Sequence, residues 1–465
     1  MFANEILQRF AERSPASVMV RATMENTISA DFLDAVFESA AKRQRCRELL
    51  FSALVDLMGL VVTETRKSVN EAYHAEKERF TVSIAAVYQK LQKVETQVSR
   101  QMVRQTAARM AEVVRHGGRR RPPLLPRYHV RIIDGNHLPA TEHRIAELRK
   151  TRQGPLPGHC LAVLDPDRML VVDVFPCEDG HAQERSLLPQ VLETVQPRDV
   201  WIADRNFCTT DFLFGIAQQN GFFVIRQHGS TLTYELQGQR RKLGRCPTGM
   251  LYEQTVRLWN RKGETLLVRR VTVELTKPTR DGEKEIHILT NLPAADADAW
   301  MVADLYLRRW TVENAFQELG QALNSEIKTL AYPKAALLSL CVAFLTYNVI
   351  SVVKNAMAAV PGGLERAQVS GYYLASEIAA TYHGMMIAVP PRLWRREFAQ
   401  LRPSELATIL QDLASTIPPD RFRKNVRGPR KPRPRNRTSG VRDHHVSTAR
   451  ILAARKPRKQ HAMKA

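Results

Sequence analysis

Three acidic residues stand where α/β proteins present side chains to ligands. Asp134 follows the apolar run in IIDGNHL, Asp204 follows the run in WIADRN, and Glu313 lies in YLRRWTVEN. Because the carboxyl ends of neighbouring strands meet at one edge of a sheet, two carboxylates can converge there with a third from a packing helix. Oxygen ligands of this kind suit Mg²⁺, a hard cation that keeps several waters. The set predicts metal-dependent chemistry at a phosphodiester.

The predicted cofactor is a pair of Mg²⁺ ions, for which Mn²⁺ can substitute. Two ions about 3.5–4 Å apart clamp a phosphodiester: one activates the attacking water or 3′-hydroxyl, and the other stabilises the leaving oxygen. We therefore assign Asp134, Asp204 and Glu313 both to catalysis and to metal binding. Three carboxylates offset much of the metal charge and leave positions open for phosphate oxygens.

Each acid also has an ordinary interpretation. Asp-Gly after a strand, as at Asp134, is often only a turn. Asp204 opens the sequence Asp-Arg-Asn, which can be a salt-bridged loop or a helix cap. Arg309 and Glu313 are four residues apart and can form a plain surface ion pair. The functional interpretation depends on the three acids together, in this order of elements.

The segment around Glu313 predicts DNA contacts. We expect one long helix from about residue 295, on which Tyr306, Arg309 and Glu313 fall within about 60° of each other. Arginine offers a fork of donors to phosphate, and tyrosine can stack or donate. Glu318 is a poorer third ligand, because it lies well round the helix from Glu313.

The charge of the chain favours a nucleic-acid partner. The 465 residues include 69 Lys and Arg against 47 Asp and Glu, a net charge of +22. A surplus of this size points to a polyanion, although a ribosomal or merely basic soluble protein is the alternative. From Arg421 onward there are sixteen Lys or Arg residues and one acidic residue, Asp443. This tail is expected to bind phosphates without reading sequence.

The order of predicted elements indicates an α/β fold with a mixed sheet. From residue 128 the pattern is strand, strand, strand, helix, strand, helix, strand, followed by alternating β segments and then helices. We predict the following division of the chain: a helical, DNA end-binding region at 1–115, a basic linker at 116–127, the core at 128–226 and 286–360, an antiparallel β insertion at 227–285, a helical region at 361–417 and a disordered basic tail at 418–465.

Other DNA contacts are weaker predictions. Within residues 80–95 a helix capped by Ser83 could read DNA, or could be an ordinary bundle helix. Its side chains expected on exposed faces are Tyr88, Gln89, Lys90 and Lys93. Trp259 in the β insertion can stack on a base, although a solvated basic face with one buried Trp is the alternative. The arginine run 119–121 and Arg205 are further candidates for phosphate contacts.

Cysteine and histidine spacing does not predict a metal site. None of the six cysteines forms a CxxC pair, and His137, His181 and His228 show no ligand spacing. The thiols are expected to be reduced and the protein cytoplasmic. The apolar run 335–350 is too short and too polar to cross a membrane, so we expect a buried helix there.

The ordered set IIDGNHL, ADRNF and Y-x2-R-x3-E resembles the DDE transposases of bacterial insertion sequences, in particular the insertion-sequence-four group. The resemblance covers about residues 126–350. It implies an RNase H-like core with a β-rich insertion between the second Asp and the Glu. It also implies cut-and-paste transposition by nicking and 3′-hydroxyl attack, often through a hairpin, by a homodimer on both ends of the element. Tyr306 and Arg309 match the signature positions that contact DNA near the cleaved end.

One signature position departs from this family. The signature continues with a Lys seven residues after the Glu, and Gly320 stands there. The change removes a phosphate contact and leaves the acids untouched. Two alternatives therefore stay open: an RNase H-like nuclease that cuts without joining, and an inactive DNA-binding protein derived from a transposase.

Overall fold

The computed structural model describes residues 2, 4–44, 48–118, 122–142, 145–149, 153–279, 282–425 and 446–454. The predicted phosphate contacts at 119–121 and most of the basic tail lie outside these ranges. The first part of the chain is helical: α1 (Glu5–Arg13), α2 (Pro15–Thr27), α3 (Ala30–Ala40), α4 (Phe51–Val62), α5 (Val69–Ala75), α6 (Ile84–Leu91) and α7 (Thr96–His116).

The middle of the chain alternates strands and helices. Its elements are β1 (His129–His137), β2 (Pro155–Leu156), β3 (His159–Asp165), β4 (Leu170–Cys177), α8 (Leu188–Leu192), β5 (Asp199–Ala203), α9 (Thr210–Gln218) and β6 (Phe222–Arg226). The insertion and its return strand are β7 (Thr233–Cys246), β8 (Gly249–Trp259), β9 (Thr265–Leu275) and β10 (Glu285–Thr290).

The last part of the chain is mainly helical. Its elements are α10 (Ala299–Leu307), α11 (Trp310–Ala322), α12 (Pro333–Ala359), α13 (Gly371–Ala388), α14 (Pro391–Trp394), α15 (Pro403–Ser415), β11 (Val446–Ser447) and α16 (Thr448–Ala454).

Within the described residues, nine strands form one mixed sheet in the order β4-β3-β1-β5-β6-β10-β9-β8-β7. The strands β1, β5 and β6 are parallel, and the other pairs are antiparallel. The half β4-β3-β1-β5-β6 is the RNase H-like core. The insertion is antiparallel, as predicted, and it extends the same sheet through β10. The predicted fold class is therefore confirmed.

Helices cover both faces of the sheet because each face is apolar. The larger core includes side chains from Leu7 to Phe422, so the N-terminal helices, one sheet face and the C-terminal helices share it. In α7 the apolar positions Val98, Met102 and Met110 recur at helical spacing and are fully buried. This face of α7 packs on β4 and α12. The other sheet face packs on α8 and α9. The proposed division into domains stays a prediction.

The helix α12 is apolar and long enough to span a membrane by length and composition alone. However, 94% of its most apolar window is buried inside the protein. This burial is typical of the core helix of a globular protein, and the helix is longer than the predicted run 335–350.

The predicted long helix around Glu313 is wrong, because the chain breaks between α10 and α11. Arg308 and Arg309 form a turn in which Arg309 N bonds to Tyr306 O at 3.0 Å and Thr311 N to Arg308 O at 2.8 Å. These tighter i→i+3 bonds replace the α-helical pattern. Tyr306 and Glu313 therefore lie on different helices, and the 60° argument does not apply to them.

The predictions for the C-terminal tail and, below, for the exposed side chains of residues 80–95 need correction. The tail was expected to be disordered from residue 418, but residues 446–454 form β11 and α16, and β11 pairs with β2. Ile451 and Leu452 pack against Ile145 and Leu148, so the apolar content of this segment was underestimated. In α6, Ser83 caps the helix as predicted.

Of the four side chains within residues 80–95 that were expected on exposed faces, Tyr88 and Lys90 are half-buried, whereas Gln89 and Lys93 are exposed. The ammonium of Lys90 lies over the ring of Phe37, 4.6 Å from its centroid. The exposed surface of this short helix is therefore smaller than the sequence suggested.

Candidate active site

The parallel register of the sheet sets Asp134 and Asp204 side by side. Strands β1 and β5 pair from His129 with Asp199 to Ile132 with Ile202, and two further residues along each strand bring the chain to the two acids. Ala203 of β5 pairs with Ile225 of β6, so the next residue in the same row is Arg226. The edge therefore presents two carboxylates and a guanidinium in one row.

Arg309 joins Glu313 to this edge. Its Nη1 donates to Glu313 Oε1 at 2.6 Å and lies 3.4 Å from Asp134 Oδ2. The Arg309 side chain is only 10% exposed. Its Nε is buried without a hydrogen-bond partner among the described residues. Arg309 thus places a buried positive charge between two of the three acids.

Burial raises the pKa of the Asp134 carboxyl to about 7. The positive charge of Arg309 and the backbone N–H of Gly135 oppose this rise, whereas the charges of Asp204 and Glu313 add to it. Asp134 therefore lies near enough to both Asp204 and Glu313 for their charges to act on it. Carboxylates that share a partly buried site favour a counter-charge, which Arg309 supplies in this structure and of which a bound cation is an alternative source.

Asp204 takes part in local structure as well as in the site. Its Oδ1 accepts from Asn206 N at 2.8 Å and caps a short 3₁₀ turn. The alternative interpretation of Asp204 as a cap is therefore correct, and the cap orients the carboxylate at the strand end. The other alternative also holds locally, because Arg309 and Glu313 do form an i,i+4 ion pair.

Tyr306 is nearly buried beside Arg309, with 7% of its surface exposed. Burial raises the pKa of its hydroxyl. This position limits the ring to supporting Arg309 unless α10 moves. Trp310 is the exposed aromatic residue next to the site, at 54%, and the Arg309 guanidinium lies 4.7 Å from its ring centroid. Sequence analysis missed Trp310, although it sits inside the signature.

Arg205 and Arg226 share one acidic partner. Arg205 Nη1 donates to Glu283 Oε1 at 3.1 Å, and Arg226 pairs with Glu283 Oε2. Glu283 comes from the loop that returns from the insertion, and both arginines lower its pKa. The sequence predicted Arg205 as a DNA contact but missed Arg226. Only the strand register shows that Arg226 stands level with Asp204.

Trp259 is not brought to this edge. It ends β8, pairs with Thr265 and adjoins the hairpin 260–264. By register it lies toward the end of the sheet opposite the acids, because Arg269 of β9 is already level with Thr290 and, through it, Val224 of β6. A base stacked on Trp259 would therefore belong to DNA away from the reacting bond.

The acids fit a divalent cation in donor chemistry and charge. They offer only oxygen donors, which suit Mg²⁺, and the charges of Asp204 and Glu313 add to the rise in the pKa of Asp134, whose main cause is burial. As the side chains stand, however, no group of three His, Cys, Asp or Glu residues in the described part of the chain is close enough to hold a metal. The guanidinium of Arg309 supplies positive charge between Asp134 and Glu313 instead.

Comparison with known families identifies the region that contains these acids. Residues 125–349 match the family model of the transposase DDE domain. The match supports a DDE transposase. It covers Asp134, Asp204 and Glu313 and agrees with the limits of the resemblance predicted from the motifs. No curated protein matches the chain as a relative. A DDE transposase domain also supports an enzyme that acts on DNA.

Gly320 lies where the signature has a lysine. It is exposed on α11, seven residues after Glu313 and therefore on nearly the same face. A Cβ at this position would meet nothing within 4 Å. A longer side chain therefore fits without rearrangement, and the missing lysine is not a consequence of packing.

We predict that Gly320→Lys stabilises the protein and tightens DNA binding. Replacing a helical glycine should raise the free energy of unfolding by about 0.5–1 kcal/mol. One new phosphate contact should steepen the plot of log affinity against log salt by about 0.9. Gly320→Ala is the control, because it should give the stability gain alone. An equal salt slope in both variants would show that residue 320 does not reach DNA.

Proposed function

We propose that the protein is an insertion-sequence transposase of the insertion-sequence-four group that catalyses Mg²⁺-dependent cut-and-paste transposition. It nicks the ends of its element and transfers the freed 3′-hydroxyl to target DNA. The observation that carries this proposal is the row of Asp134 and Asp204 at one sheet edge, joined to Glu313 through Arg309, inside the DDE-matching region.

Asp134, Asp204 and Glu313 are the residues that would hold the metal. Bound Mg²⁺, or Mn²⁺ in its place, would supply Lewis-acid activation of the attacking oxygen and stabilise the leaving oxygen. The protein's own part is to orient the carboxylates at this end of the strands. The caps from Gly135 N to Asp134 and from Asn206 N to Asp204 do this locally.

The Arg309 guanidinium can pair either with the two acids or with a phosphate. In this structure it neutralises Asp134 and Glu313, and its buried Nε has no hydrogen-bond partner in the part of the chain that the structure describes. Once the acids have another counter-charge, the guanidinium is free to bind a phosphate as a bidentate fork. Trp310, exposed beside it, offers a flat apolar surface to an unpaired base.

Arg205 and Arg226 extend the positive surface beside Asp204. Their shared partner Glu283 is 33% exposed and lies in a loop, so a DNA phosphate could replace it. The same electrostatic argument applies to both pairs, since phosphate offers arginine the same geometry as a carboxylate. Glu283 would then lower the affinity of the protein for DNA, because it would compete with the DNA phosphates for Arg205 and Arg226.

We predict that Glu283→Gln increases DNA affinity about threefold to tenfold at low salt, the gain from about 1 kcal/mol of relieved competition. Fluorescence anisotropy with a labelled duplex measures it. Glu285→Gln is the matched control, because Glu285 pairs with Arg240 of the insertion, 2.8 Å away. Equal effects of the two variants would mean that only net charge matters and that Arg205 and Arg226 do not contact DNA.

The same proposal includes the partners. We propose a homodimer that holds both terminal inverted repeats in the bacterial cytoplasm, with the basic tail bound to the DNA backbone. In the described residues Cys160, Cys177, Cys208, Cys246 and Cys341 are free thiols, which fits a reducing compartment.

The decisive experiment uses labelled duplexes from the DNA that flanks the gene, incubated with the full chain and Mg²⁺. Nicked or hairpin ends followed by products joined to a target plasmid support the transposase. Nicked ends that never join support a nuclease. Binding with no product at any pH or with Mn²⁺ supports an inactive DNA-binding derivative.

A further inference from the structure

A fourth carboxylate, Glu184, lies against Gly135, which follows Asp134 within β1, and against Asn206 in the loop that follows Asp204. It opens the 3₁₀ turn Glu184–Leu187 that precedes α8. Its Oε2 accepts from Asn206 Nδ2 at 2.6 Å, and its Oε1 is 3.6 Å from His137 Nδ1. The side chain is 17% exposed. Burying a carboxylate costs free energy unless it has polar partners. The contacts with Asn206 and His137 therefore offset the cost of burying the Glu184 side chain.

Glu184 also explains the glycine after Asp134. A Cβ on Gly135 would stand 1.7 Å from Glu184 Oε1 and 2.4 Å from its Cδ. The backbone at Gly135 does not adopt the left-handed conformation that favours glycine. A side chain at this position would therefore require the Glu184 carboxylate to move away. The carboxylate is packed directly on the residue that donates to Asp134 Oδ1.

On the other side, Glu184 and its neighbour hold the loop of Asp204. Asn206 donates from its backbone to Asp204 Oδ1 at 2.8 Å and from its side chain to Glu184. The carbonyl of Asn206 accepts from Arg185 Nε at 2.6 Å. Two consecutive residues of one turn thus fix Asn206, and Asn206 fixes Asp204.

We infer that Glu184 is a positioning residue that sets the spacing between Asp134 and Asp204. It packs on Gly135 within β1 and accepts a hydrogen bond from Asn206 in the turn after β5. Both of its oxygens face protein groups, so it acts through these neighbours and not as a metal ligand. The inference rests on the proposed function, because it assigns the spacing to metal binding. Partners of this kind typically change metal affinity about 10–100-fold when removed.

The test is the Mn²⁺ affinity of the full chain, measured without DNA by the electron paramagnetic resonance of free Mn²⁺. Glu184→Ala is expected to weaken binding about 10–100-fold. Asn206→Ala should weaken Mn²⁺ binding similarly. The double variant should bind Mn²⁺ no more weakly than the more weakly binding of the two single variants, because both substitutions remove the same hydrogen bond between Glu184 and Asn206. Glu184→Gln should stay within about threefold of wild type, since its amide oxygen still accepts from Asn206.

Gly135→Ala gives an independent probe, because its methyl group would displace Glu184. As a single substitution, Gly135→Ala should weaken Mn²⁺ binding. In the Glu184→Ala background it should have no further effect on Mn²⁺ binding. Thermal unfolding of each variant identifies any that fails to fold, and the remaining variants then decide the question.

Additive losses in the double variant would overturn the positioning role, as would a loss in Glu184→Gln equal to that in Glu184→Ala. If wild type binds Mn²⁺ and Glu184→Ala binds it equally well, the inference alone is wrong. If wild type binds Mn²⁺ with the expected pattern but cuts no DNA, the proposed function is wrong and the positioning role stands. If wild type binds no Mn²⁺, both are wrong.

Discussion

Replacing Glu313 by glutamine is expected to abolish DNA cleavage and to leave DNA binding within about twofold. Glutamine has the same shape, and its amide oxygen can still accept from Arg309 at the position of Glu313 Oε1. What it lacks is the negative charge that a divalent cation needs from its ligands. We expect the cleavage rate to fall by a factor on the order of 10³, which corresponds to about 4 kcal/mol in the activation barrier.

The measurement is the single-turnover rate of nicking at saturating DNA, with affinity measured separately. Asp304→Asn is the control, because Asp304 is an exposed acid on α10 that pairs only with Arg308 in the described contacts. It should cut at the wild-type rate. If Glu313→Gln instead lost affinity while each bound complex cut normally, Glu313 would be a plain ion-pair partner of Arg309 and not a metal ligand.

The sheet could be predicted well because its signals are local. The apolar runs in β1 and β5 end at Asp134 and Asp204, although β1 continues as a paired strand to His137. The insertion alternates polar and apolar residues with turns between its strands, as antiparallel strands do. The order of these segments along the chain was sufficient to indicate an α/β fold with a mixed sheet, and the RNase H-like arrangement was implied by the resemblance of the motifs to DDE transposases.

The groups around the acids could not be predicted because they depend on pairing. Arg226 and Glu184 lie far along the chain from Asp134, and neither belongs to a motif. Arg226 reaches the site through the parallel register of β5 and β6. Glu184 reaches it because its turn packs on Gly135. Register and packing between distant segments are not encoded in local periodicity.

The break between α10 and α11 was missed for a different reason. The segment from Tyr306 to Glu313 has no glycine or proline, so its composition favours a continuous helix. In the structure a short turn at Arg308 and Arg309 separates the two helices, and Arg309 at this turn pairs with both Asp134 and Glu313. The pairing with Asp134 joins segments 175 residues apart, which local composition does not show.

The stability of the metal-free protein is expected to fall as pH rises through neutrality, because of Asp134. The folded state raises the pKa of its carboxyl from 3.8 to about 7, mainly through burial. A group with a raised folded pKa contributes stability that is fully present below its unfolded pKa and is lost as pH rises through its folded pKa. For Asp134 this window runs from about pH 4 to 7. Between pH 5.5 and 8 the loss is on the order of 2 kcal/mol.

Asp134→Asn should remove this loss, because an amide does not titrate. The difference in unfolding free energy between variant and wild type should therefore grow with pH, as measured by urea unfolding at pH 5.5 and 8 with a chelator present. Asp304→Asn, at an exposed position, should follow wild type. Parallel pH profiles of the unfolding free energy for wild type and Asp134→Asn would show that the folded state does not raise the pKa of the Asp134 carboxyl.

Adding Mn²⁺ or Mg²⁺ at pH 8 should then separate the two proteins in the opposite direction. A ligand that binds only the folded state stabilises it by mass action, and the ionised carboxylate of wild type is the form that binds a cation. Because the cation displaces a proton near neutral pH, its affinity should rise with pH through about 7. Wild type should recover stability on adding metal, and Asp134→Asn should recover little. The negative charge of Asp134 that destabilises the metal-free protein is thus also the charge that binds a metal.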